Sequence, residues 1–188
     1  MTASIPTPSD IVTFWRAAGY ERWFAADPAF DADVRARLLP AHEDAVARGA
    51  GATVLPDYET TPEGTLALIL LLDQVPRNIF RGTPRAFATD PAALAVANRA
   101  LGHGFDAHFE PKLRGFFYLP LMHAEDLRVQ QRCVALYEKL GAEAELKYAL
   151  LHRDIIERFG RFPHRNPILG RDMTPQEQAY LAAGGFTG

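Results

Sequence analysis

Four times this chain sets an aspartate or threonine directly before a proline, at Asp27-Pro28, Thr61-Pro62, Asp90-Pro91 and Thr174-Pro175. The first member of each pair can cap free N–H groups at a helix start, and the proline needs no donor at the first helical position. Four such starts in 188 residues leave little chain for anything but helices. The residue balance agrees: 30 Ala and 21 Leu stand against 8 Val and 7 Ile, which favours helix formers over the β-branched residues of strands. The expected fold class is all-α.

Thr174-Pro175-Gln176-Glu177 also fits a capping box, with the Glu177 carboxylate returning to the cap N–H. From these marks we read helices over 9–18, 28–48 (bent or broken at Pro40), 62–74, 91–101, 124–140, 143–159 and 175–183. Loops are expected over 102–122 and 160–173. Val129, Cys133, Leu136 and Leu140 recur at helical spacing, as do Tyr148, His152, Ile155 and Phe159, so both stripes are expected to face the core. The joint between these two helices is only Gly141 and its neighbours, short enough for an antiparallel hairpin. The length suits a single all-helical domain over 1–188.

Several function classes are disfavoured at once. A formal net charge of -3 supplies no general attraction to nucleic acid or to an anionic bilayer. The longest aliphatic run, Leu66 to Leu72, ends at Asp73, well short of the about 20 apolar residues a membrane span needs. The start MTASIPTPSD has neither a basic region nor an apolar signal core, and the lone Cys133 cannot form an internal disulfide. A cytoplasmic location is the expectation.

Chemistry concentrates in three places. LALILLLDQVPRNIFR, residues 66–81, is apolar until it delivers Asp73, Gln74, Arg77, Asn78 and Arg81 at its far end, where polar groups require partners. Pro76 removes a backbone donor and leaves carbonyls open, which either turns the chain or shapes a site. MHAEDLRVQ, residues 122–130, puts His123, Glu125 and Asp126 at a helix start, where carboxylates complement the dipole or simply cap it. HRDIIERFGRFPHRNPILGR, residues 152–171, gathers His152, Arg153, Arg158, Arg161, His164, Arg165 and Arg171 against only Asp154 and Glu157, a basic patch in an acidic protein, with Asn166 beside it. Guanidinium forks bind carboxylate or phosphate, so an anion site is one reading; pairing with Asp73, Glu125 and Asp126 to staple the fold is the other.

No HExxH or cysteine spacing supports a metal, and no glycine pattern supports a nucleotide cofactor, so none of either is expected. There is no GxSxG, and Cys133 sits on an apolar stripe, which suits an inert thiol. Phe116, Phe159 and Phe162 interleave with the arginines as in some nucleic-acid surfaces, but aromatics of such a chain fill core first, and nucleic acid is not the expected partner.

LLDQVPRNIFRGTPRAFATD (71–90), MHAEDL (122–127) and HRDIIERFGRFPHRNPILGR (152–171), with FW at 14–15 and RWF at 22–24, closely resemble the bacterial domain of unknown function 924 family. The resemblance covers almost the whole chain and implies stacked antiparallel helix pairs similar to a tetratricopeptide-repeat-like bundle. Two positions depart from the family pattern: Ala124 stands where the family reads HSED, and Met173 precedes Thr174 where a Ser-Thr pair is usual. The family brings no established activity, and fold alone does not settle one.

Two functional readings follow. In the first, Asp73, Arg77, Asn78, Arg158, Arg161, His164, Arg165 and Asn166 hold a small anionic molecule, while His123, Glu125 and Asp126 exchange protons or orient the site, with catalysis left open. In the second, the chain is a non-catalytic helical-repeat scaffold for a protein partner, and the polar clusters lock helix pairs together.

Overall fold

The computed structural model describes residues 5–188, so the first four residues of the segment read for a targeting signal lie outside it. The described residues form helices and turns with no strand, and none of these helices is long and apolar enough to cross a membrane. The longer helices are α1 (Pro8–Ala18), α2 (Pro28–Ala47), α3 (Pro62–Ile69), α4 (Val75–Ile79), α5 (Asp90–Gly102), α6 (Leu127–Leu140), α7 (Glu143–Phe159) and α8 (Pro175–Ala182). The chain divides into two compact units, one running to Arg81 and including Arg85–Pro120, the other taking Gly82–Pro84 and Leu121–Gly188.

Three of the four proline pairs start helices as anticipated. The Asp27 carboxylate accepts from the amides of Ala29 and Phe30, Thr61 accepts from Gly64, and Thr174 with Glu177 closes a capping box. Asp90 differs: it lies inside α5, Thr89 occupies the cap position, and the Asp90 carboxylate is drawn instead to Arg77. A fifth start, Thr7 with Asp10, forms a second capping box.

Pro40 neither bends nor ends α2. It sits on the solvent side, while Leu38, Ala41, His42 and Ala45 bury the opposite face and keep the helix continuous. In the first unit the core forms around Trp15, whose ring meets Phe30 at 5.7 Å and Phe116 edge-on at 6.0 Å. Leu66 to Leu72 are all fully buried there, which explains why that run carries no polar residue.

Pro76 does not stop its helix either. After Ile69 the backbone widens into a π-helical turn over Leu70–Gln74 and resumes as α4, which runs through the proline. The wider turn makes room for a ring that an unbroken α-helix would drive into the carbonyl four residues back.

In the second unit, Gly141 closes α6 in the left-handed conformation at φ 73° and α7 follows at once, giving the anticipated hairpin. Its faces are turned from the expected ones. Gln130, Cys133, Val134 and Tyr137 are the buried residues of α6, whereas Leu136 and Leu140 are half-buried. On α7, Tyr148 is 55% exposed, and the buried face is Ala149, His152, Ile155 and Ile156. Ile155, Ile156 and Phe162 make the core of this unit, with Leu127, Phe159, Tyr180 and Phe186 packed around them.

Candidate functional site

The polar end of the first unit is a closed network. Pro76 carries no N–H, so the carbonyls of Leu71 and Leu72, which would meet it in π and α register respectively, need other donors. His42 supplies one, its Nδ1 lying 2.8 Å from Leu71 O, and because a carbonyl only accepts, Nδ1 carries the proton. The Thr89 hydroxyl supplies the other, donating to Leu72 O at 2.5 Å. Arg77 Nη1 donates to Asp73 O at 2.7 Å.

Asp73 is fully buried. Its carboxylate accepts from Gln74 Nε2 at 2.6 Å and faces Arg77 Nη1 at 3.3 Å. The same guanidinium holds Asp90 with two bonds, at 2.8 and 3.0 Å. Burial pulls the Arg77 pKa down, but the Asp73 and Asp90 charges outweigh it and hold the group above its ordinary value. Asn78 donates to Gln74 O and accepts from Arg81. The expected ligand-binding residues Asp73, Arg77 and Asn78 are therefore occupied with one another and with the interrupted helix.

In the second unit, Arg161 and Arg171 are each committed to a carboxylate of the same chain. Arg161 grips Glu177 through Nε at 2.6 Å and Nη2 at 2.8 Å, and its Nη2 also donates to Asp172 O. The Arg161 bond, with those from Thr174 and Asn166, holds the Glu177 pKa far below the usual carboxylate range despite opposing desolvation. Arg171 forks onto Glu125 at 2.7 and 3.0 Å, and Glu125 also accepts the Phe162 N–H at 2.8 Å. Desolvation would raise the Glu125 pKa, but Arg171 and the Phe162 amide lower it overall. Asp126 caps α6 by accepting from the amides of Arg128 and Val129. Arg158 is exposed and lies over the rings of Phe159 and Tyr180 at 4.7 and 5.5 Å.

What remains is a histidine cluster around Phe162. The ring of His152 stands 5.4 Å from Phe162 and that of His164 5.7 Å from it, while the Arg165 guanidinium lies over the Phe162 ring at 4.6 Å. His152 Nδ1 is 2.8 Å from Tyr148 O, so this nitrogen is the protonated one and Nε2 is left as the ring's acceptor. Burial lowers both histidines to about 4, against the Tyr148 hydrogen bond that raises His152 and the Glu125 charge that raises His164. They are neutral at physiological pH. Of the charges acting on His164, those of Arg165, His123 and Arg171 are basic, and Glu125 is the acidic one.

Among the described residues of this unit, His164 Nδ1, Asn166 Oδ1, Gln130 Oε1 and Arg171 Nε are buried without a hydrogen-bond partner. Asn166 and Gln130 are themselves fully buried. Gln130 spends its amide donors on Met122 O and Ala124 O, fixing the turn that carries His123. The arrangement can accept and donate hydrogen bonds in a positive field and can exchange a proton at neutral imidazole. Among the described residues, no group of three or more His, Cys, Asp or Glu is placed to hold a metal ion.

Thus His123, Glu125, His164, Arg165 and Asn166 share the second unit with the orphaned atoms, whereas Asp126, Arg158 and Arg161 serve as cap, ring cover and ion-pair partner. His152, Arg171, Gln130 and Phe186 belong to the cluster but were absent from the sequence-based site. His152 and Arg171 carried a signal, since both lie in the basic segment. Gln130 and Phe186 carried none beyond an ordinary helical position and a terminal aromatic.

Residues 11–185 match the family model for bacterial protein of unknown function, DUF924. The chain is similar to the solved structure of the protein of unknown function ATU0120 from Agrobacterium tumefaciens, with 48% sequence identity and a TM-score of 0.87. The likeness covers 94% of this chain and 97% of that one. No curated protein matches the chain.

Proposed function

We propose, from the premise that this chain belongs to the DUF924 family of bacterial proteins of unknown function, that its second unit binds a small anionic molecule at His164 and Arg165. One observation carries the reading. His164 Nδ1 is buried with no hydrogen-bond partner while Arg165, Arg171 and His123 act on that ring as positive charges. A buried polar atom without a partner costs stability unless something satisfies it, and a carboxylate or phosphate would both accept from the site and offset its field. His123 and His164 would exchange a proton with such a ligand, with Glu125 holding Arg171.

The ion pairs of Arg77 and Arg161 move the binding role away from these residues. Their forks already hold carboxylates of the same chain, so their replacement tests stability rather than affinity.

Thermal unfolding with inorganic phosphate and with small mono- and dicarboxylates tests the proposal. At least one anion should raise the midpoint in a concentration-dependent way. His164→Gln and Arg165→Met should remove that response while circular dichroism stays helical. If no anion stabilises the protein, or both variants respond like the parent chain, the site is architectural and the interaction-scaffold reading takes precedence. The feature favouring that second reading is Tyr148 and Leu151, exposed one turn apart on α7.

A further inference from the structure

Both imidazoles of the histidine cluster are held between two phenyl rings of different attachment. One is Phe162, fully buried in the core of the unit. The other is Phe186, beyond the end of α8, whose ring meets His152 at 4.7 Å and His164 at 5.3 Å, both nearly edge-on at 64° and 84°. Phe186 is half-buried, and its amide donates to the Tyr180 hydroxyl at 3.0 Å. Past it, Gly188 approaches the same ring, for a Cβ there would stand 3.3 Å from His164 Cδ2 and 3.4 Å from Nε2.

The segment reaches this position by a bend that only glycine permits. Gly184 adopts φ +81°, and a Cβ on Gly185 would stand 2.5 Å from the Tyr180 ring and 2.6 Å from its carbonyl oxygen.

We propose that Gly184–Gly188 is a strap that closes the histidine cluster by seating Phe186 on His152 and His164, and that a small anion reaches those rings only when the strap lifts. The strap pivots at Gly184 and Gly185, and Phe162 stays in place as the fixed wall. The identity of what is admitted rests on the anion-binding reading above; the closure itself does not.

Diethyl pyrocarbonate, which acylates neutral imidazole, reads the closure at near-neutral pH by peptide mass spectrometry. In the parent chain His152 and His164 should react slowly. Phe186→Ala should speed both by about tenfold or more, the scale of a local opening, while Phe186→Leu keeps an apolar plug and stays near the parent rate. Equal rates in all three would overturn the strap. If Phe186→Ala does not fold, amide exchange in the parent chain decides: the Phe186 N–H must exchange faster than the α7 amides, and equal protection would contradict the proposal. Isothermal titration with inorganic phosphate separates the two readings. Faster acylation without phosphate binding leaves the strap and removes the anion, and phosphate binding without faster acylation does the reverse.

Discussion

The Thr89 hydroxyl donates to the carbonyl oxygen of Leu72 at 2.5 Å, where Pro76 has taken away the donor an α-helix would provide. With His42 on Leu71 O and Arg77 on Asp73 O, three successive carbonyls of the interrupted helix are satisfied by side chains from outside the normal ladder. The widened turn is a built joint between α3 and α4. It is a feature of stability, and it accounts for one of the polar clusters that in sequence looks like chemistry.

Thr89→Val keeps the shape of the side chain and removes the hydroxyl, leaving Leu72 O without its partner. Urea unfolding should show a loss of about 1 to 3 kcal/mol, and Thr89→Ser should recover most of it. An unchanged midpoint would mean that water serves that carbonyl equally well.

Arg77→Ala strands Asp73 as a buried charge. Breaking such a pair costs about 3 to 5 kcal/mol, so denaturant unfolding should shift strongly, and the Asp73→Asn, Arg77→Met double variant should lie closer to the parent chain than Arg77→Ala does. A small effect of Arg77→Ala alone would show that Asp90, rather than Asp73, is the charge this guanidinium serves.

Acid should destabilise the protein before its carboxylates titrate. His152 and His164 hold pKa values of about 4, against 6.5 for the free side chain. Between those limits the unfolded chain binds protons that the folded chain refuses. Stability is therefore complete above pH 6.5 and falls as the pH drops towards 4, by up to roughly 1.4 kcal/mol per pH unit for each histidine. Glu125 and Glu177, held below their ordinary values, lose their contribution only at lower pH. Urea midpoints measured across this range should slope downwards in the parent chain and less steeply in His152→Gln, His164→Gln, the remaining slope coming from His42, whose pKa burial also lowers. A flat parent profile would contradict the burial of the two rings.

Cys133 is fully buried, and its thiol is pushed up to about 12 by desolvation. A disulfide reagent should leave it unmodified in the native protein and modify it completely in denaturant. Rapid native labelling would show that α6 opens.

The fold was largely legible because it rests on local rules. Thr61, Asp27 and Thr174 cap where their proline neighbours say they should, and Gly141 closes the α6–α7 joint as its position between two apolar stripes implies. The failures were tertiary. Pro40 in sequence marks a bend or a break, but packing on Leu38 and Ala41 carries the helix through it. Asp90 stands before a proline like a cap, and the half-buried Arg77 claims it instead. The site was less legible for the same reason: that Arg161 meets Glu177, sixteen residues away, and Phe186 meets His152 depends on how the chain returns, which no spacing records.

The most direct test of the central claim is the pKa of His164 by NMR, with and without saturating inorganic phosphate or a stabilising carboxylate. The anion-binding account predicts a value of about 4 in the free protein and a rise towards the ordinary imidazole range when an anion offsets the charges of Arg165 and Arg171. A titration curve that every one of these anions leaves unmoved would contradict it.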